Sequence, residues 1–113
     1  MRLYVAGPYS SPDPVERERN TERAMEMGLA LLTESHHPFI PHLSHVFDSW
    51  ATEHGLSTPY DTYLQWDTAF LAICDGVVWL GSSPGADREL ELAVRLDKPI
   101  YSRLSGVPVG EER

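Results

Sequence analysis

A chain of 113 residues, 42% of them hydrophobic, supports one folded domain and one core, and disorder is not indicated. The formal charge of −8, with no basic stripe, argues against DNA or RNA as partner, while a small anion held by backbone N–H groups stays open. No apolar run reaches the length of a membrane span, no signal-peptide pattern opens the chain, and the single Cys74 fits a reducing cytoplasm.

Residues 2–7, RLYVAG, predict a first strand, and Gly7-Pro8-Tyr9-Ser10-Ser11 a turn at its C-terminal end. Strand, Gly/Ser turn and helix is the order of a mononucleotide-binding unit, although neither a Walker motif nor GxGxxG is present. Asp13-Pro14 predicts an N-cap and first helical position. The helix is expected to reach about Glu34, with Ala24, Met27, Gly28, Leu31 and Leu32 at core spacing and Met25 also in the core. Glu16, Arg17, Glu18, Arg19, Glu22 and Arg23 read as a solvated, salt-bridged face, and Asn20 carries no message alone.

Residues 37–42 predict a short second strand, bracketed by prolines and suited to a sheet edge. Residues 43–59 show no clear element. His36, His37, His42, His45 and His54, with Asp48, raise the question of a metal. Without HExxH or Cys/His pairing, a mobile lid or an oligomer contact through Phe47 and Trp50 is the stronger reading.

The stretch 60–101 carries the chemistry. A helix over 60–74 places Tyr63, Trp66, Phe70, Leu71, Ile73 and Cys74 on one apolar face, with Asp67 near its middle. Val77–Leu80 is a continuous apolar run, as in a parallel strand covered on both faces. After the loop Gly81-Ser82-Ser83-Pro84-Gly85, a helix to about Leu96 turns Ala86, Leu90, Ala93 and Leu96 inward. Glu89 falls inside that arc, while Arg88, Glu91 and Arg95 point away. An inward Asp can cap a loop, and a first-turn Glu can complement a helix dipole. Together, flanking a Gly/Ser loop at a strand's C-terminal end, they favour a ligand site. Residues 99–101 predict a last strand, and 103–113 a poorly ordered tail. The whole, 1–113, reads as a single-domain three-layer α/β/α fold of the flavodoxin or Rossmann type, with four to five parallel strands.

The opening YVAGPYS, the run from Asp67 through CDGVVWL, and SPGADRELELA followed by KPIY resemble the nucleoside 2-deoxyribosyltransferase-like superfamily, including its nucleoside 5′-monophosphate N-glycosidase branch. Small phage and bacterial domains with a FIPHL-like second strand are also similar. The resemblance implies that Glu89 is a nucleophile on the anomeric carbon, that Asp67 assists departure of the base, and that Tyr4 orients the glutamate. It further implies that Gly7, Tyr9, Ser10, Ser83 and Gly85 hold the sugar or its 5′-phosphate, with no metal or organic cofactor. A neighbouring subunit commonly completes the pocket in this superfamily, so a homodimer or higher homo-oligomer is expected. The chain is shorter than the usual transferases and shows no clear counterpart of their C-terminal asparagine segment, which favours hydrolysis over transfer to a second base. The expectation is an N-glycosidase acting on a small-molecule nucleoside or nucleotide. A deoxyribosyltransferase and a non-catalytic nucleotide-binding module are the alternatives.

Overall fold

A computed structural model describes residues 1–108. Its elements are β1 (Arg2–Ala6), α1 (Pro14–Thr33), β2 (His37–Phe39), α2 (Leu43–Glu53), α3 (Tyr60–Ile73), β3 (Gly76–Trp79), α4 (Pro84–Arg95), β4 (Ile100–Tyr101) and a 3-10 turn at Leu104–Gly106. The sheet is parallel throughout, in the order β2-β1-β3-β4, with Tyr4 paired to Phe39 on one side and Val77 on the other. The chain leaves β1 in one direction to form β2 and returns past it to form β3. The C-terminal ends of β1 and β3 therefore diverge at a switch point, where open α/β sheets bind ligands.

Alternation along the strands builds two core layers. Leu3, Val5 and Val78 meet Ala24 and Leu31 of α1 on one face, while Tyr4, Ala6 and Val77 meet Leu71, Cys74 and Ala93 on the other. Helix α1 thus covers one side and α3 with α4 the other, giving the expected three layers with four strands.

Helix α1 starts as its sequence demands: the Asp13 carboxylate accepts from Val15 N at 3.0 Å, with Pro14 leading the first turn. Its polar face departs from expectation. The ion pairs among the described residues are Arg2–Asp75 and Arg95–Glu91, and neither lies on α1. Arg17 and Arg23 instead donate to the backbone oxygens of Ser11 and Leu80. Asn20 is buried and donates to Tyr9 O at 3.2 Å. Leu32 and Met25, placed in the core by spacing, are exposed.

Residues 43–53 form helix α2, which the sequence reading missed. Leu43, Val46, Phe47 and Trp50 have helical spacing, but the stripe faces outward, and Ser44 and Ala51 are the buried positions. The apolar face expected for α3 is likewise split: Tyr63, Leu71 and Cys74 are buried, whereas Trp66, Phe70 and Ile73 stay exposed. Leu96 of the α4 arc is exposed as well. The tail is ordered further than expected, since Val107 packs into the α1-side core; residues 109–113 lie outside the described residues.

Candidate active site

A cavity of about 330 Å³ opens where the chain leaves β1, β2 and β3, a volume within the range of small-molecule sites. Tyr4, Asp67 and Glu89 line it, as do Gly7, Tyr9 and Ser10 from the first loop and Ser83 and Gly85 from the loop before α4. Every residue singled out in the sequence for chemistry or ligand contact therefore meets in one place.

The loop before α4 makes this possible. Gly81 takes a φ of +151°, a conformation open mainly to glycine, and lets the chain turn at the end of β3. Ser83 caps α4, its Oγ accepting from Ala86 N at 3.1 Å, with Pro84 at the first helical position. The helix so anchored directs Glu89 back towards the fully buried Tyr4, whose hydroxyl donates to Glu89 Oε2.

Burial dominates the electrostatics. It pushes the Glu89 carboxyl up to about 7, with the Asp67 charge adding to the rise and the Tyr4 hydrogen bond and Arg88 opposing it. Burial likewise pushes Asp67 up to about 6. Ser44 beside Asp67 opposes this only weakly, because its hydroxyl proton goes to Pro41 O at 2.6 Å. Burial, then the Glu89 charge, raises the Tyr4 phenol far above its usual range, so it stays a donor. Both carboxyls are thus held above the ordinary carboxylate range, and the Asp67 charge adds to the rise at Glu89. Tyr4 stabilises the ionised form of Glu89, whereas the buried Asp67 Oδ1 has no partner among the described residues.

The first loop is held from both sides. Asn20 and Arg17 of α1 donate to the carbonyls of Tyr9 and Ser11, and His42 Nε2 lies 3.0 Å from Pro8 O. A carbonyl only accepts, so His42 carries its proton on Nε2 and leaves Nδ1 as an acceptor without a partner. Tyr9 stacks flat on His45, with centroids 3.5 Å apart and planes 2° apart, and meets His42 edge-on. Burial lowers the pKa of both histidines, keeping them neutral. Among the described residues no three His, Cys, Asp or Glu side chains converge as a metal set.

His42 and His45 line the cavity as neutral walls, a role the sequence reading did not give them. Their spacing of three across the start of α2 was the available signal. Arg88, expected to point away, also lines the cavity, because the first turns of α4 lie along its rim.

No family model and no curated protein matches the sequence. Two solved structures are similar in fold. A 2-deoxyribosyltransferase from the psychrotolerant bacterium Bacillus psychrosaccharolyticus, described as a biocatalyst for nucleoside synthesis, superposes with a TM-score of 0.63 at 15% identity over 92% of this chain and 76% of its own. A 2-deoxyribosyltransferase from Leishmania mexicana gives a TM-score of 0.60 at 17% identity over 88% of this chain, which spans only 61% of that protein's length. The chain has the fold of the nucleoside 2-deoxyribosyltransferases.

Proposed function

We propose that this protein is an N-glycosidase that cleaves the base–sugar bond of a nucleoside or its 5′-monophosphate. The observation that carries the reading is the pair of burial-shifted carboxyls, Glu89 and Asp67, facing one cavity with Tyr4 donating to Glu89. Glycoside cleavage passes through an oxocarbenium-like state, which needs a carboxylate at the anomeric carbon and an acid near the leaving group. The ionised Glu89 attacks C1′, the C1′–N bond breaks, and Asp67 gives its proton to the departing base. Water then attacks C1′, releases Glu89 and returns a proton to Asp67. The fixed loop of residues 7–11 and the capped start of α4 hold the sugar and its 5′ substituent, with Tyr9, Ser10, Ser83 and Gly85 as contacts.

A second reading, transfer of the sugar to another base, is favoured by the names of both similar structures. It differs only in what accepts C1′ from Glu89. The test is base release from a panel of nucleosides and 5′-monophosphates by wild type and Glu89→Gln, with and without a second base. Release without a second base supports the glycosidase; release only in its presence supports transfer.

The exposed aromatic face formed by Phe47, Trp50, Trp66 and Phe70 fits a homo-oligomer. We place the reaction in the cytoplasm, where the free, buried Cys74 stays reduced. Among the described residues no helix is long and apolar enough to cross a membrane.

A further inference from the structure

Ser44 is the second residue of α2, only 6% exposed, and it stands beside Asp67 of α3. Its hydroxyl donates to Pro41 O at 2.6 Å, just before the helix begins. That bond is redundant for the acceptor, because the Ser44 N–H donates to the same oxygen at 3.0 Å. The hydroxyl can therefore turn away and leave Pro41 O with a donor.

Asp67 is the group that gains from such a turn. Its Oδ1 is buried and has no partner among the described residues, which leaves Oδ2 to meet the cavity that Asp67 lines. A protonated carboxyl tolerates one idle buried oxygen better than a carboxylate does, since the carboxylate spreads its charge over both oxygens. Other donors at this wall are committed: the Tyr4 hydroxyl to Glu89 Oε2, and His42 Nε2–H to Pro8 O.

We propose that Ser44 is a positioning residue for Asp67, its hydroxyl turning from Pro41 O to Asp67 Oδ1 as that carboxyl gives up its proton. The inference rests on the N-glycosidase reading and adds a residue to it. As the C1′–N bond breaks, its electron pair goes to the base nitrogen, which takes the proton from Asp67 Oδ2. The Ser44 O–H bond stays intact and only rotates. A donor engaged elsewhere before the step, and on the carboxylate as charge develops, favours the transition state over the ground state.

The test compares wild type, Ser44→Ala and Ser44→Thr, which keeps the hydroxyl, with thermal midpoints confirming that each is folded. The readouts are kcat and KM across pH and a carbon NMR titration of the Asp67 carboxyl. Ser44→Ala should lower kcat by about tenfold with KM within about twofold, the effect of one hydrogen bond to a charged group. Its Asp67 titration midpoint should rise by about one pH unit, carrying the basic limb of the rate profile with it. Ser44→Thr should restore most of both. Tyr4 of β1, Glu89 and Arg88 of α4, His42 and His45 of α2, and Tyr9 and Tyr60 on the rim share the cavity with Asp67 and are common to all three proteins. Loss of packing alone would lower the thermal midpoint and leave the Asp67 titration in place. An Asp67 midpoint in Ser44→Ala that matches wild type overturns the proposal, as does one in Ser44→Thr that matches Ser44→Ala, or an unchanged kcat in Ser44→Ala. If wild type releases no base, the glycosidase reading fails, and the titration alone decides whether Ser44 donates to the ionised Asp67: a rise in Ser44→Ala upholds it, and no rise overturns it.

Discussion

The Tyr4 hydroxyl donates to Glu89 Oε2 across 85 residues of sequence, joining the middle of the first strand to the first turns of the last helix. That bond fixes the carboxylate's rotamer and holds its charge in a buried site. Preorganisation of this kind is what a nucleophilic carboxylate requires.

Tyr4→Phe should therefore lower kcat by about ten- to a hundredfold with little change in KM, because an orienting bond is lost and no substrate contact is removed. The same change removes the donor that opposes burial, so the acidic limb of the pH–rate profile should move to higher pH. A profile that stays in place with unchanged kcat counts against this role for Tyr4.

Stability should fall as the pH rises through the carboxyl pair. Burial holds the folded-state pKa values of Glu89 and Asp67 above the ordinary carboxylate range, at about 7 and about 6 respectively. The folded state binds more protons than the unfolded one between the two sets of values, so their contribution is present at low pH and lost near neutrality. Glu89→Gln should unfold at higher temperature than wild type at about pH 8, by up to roughly 3 kcal/mol, with the advantage shrinking towards about pH 5. Thermal melts across that range check it, and a gap that does not vary with pH contradicts it.

His42→Leu removes the tie between α2 and Pro8 O and the unpartnered acceptor in the cavity. Expected are a stability loss of about 1 kcal/mol, the net worth of one hydrogen bond, and a several-fold rise in KM. Denaturant melts and steady-state kinetics read the two effects separately. An unchanged KM means that neither the loop nor the acceptor contributes to binding.

Gly7→Ala tests the close approach of the first loop to β3. A methyl at Gly7 would lie 2.8 Å from Leu80 Cβ, an atom attached directly to the backbone and unable to rotate away. Overpacking of this kind costs about 1–3 kcal/mol, and activity should fall with stability because Gly7 lines the cavity. Melts as stable as wild type would show that the strand ends yield.

The strands, α1 and α4 were legible because each carries a local signature: the RLYVAG run, the Asp13-Pro14 cap, the apolar VVWL, and the Gly/Ser loop of residues 81–85 ahead of the last helix. The inward Asp67 and Glu89 were legible from helical phase. Helix α2 was not, because its apolar stripe faces solvent and its N-cap position, His42, makes no side-chain capping bond. Asn20, Arg17 and Arg23 also escaped, since their partners are backbone oxygens up to 57 residues away, which no pattern in a single helix reveals. Arg88 was misread because helical phase says which way a side chain leaves the axis and not where a long, flexible guanidinium ends.

The most direct test of the account is base release, followed by chromatography, from nucleosides and their 5′-monophosphates by wild type and by Glu89→Gln. Release of free base by the wild type that falls to background in Glu89→Gln is the predicted result. A folded Glu89→Gln protein that releases base at the wild-type rate would contradict the mechanism.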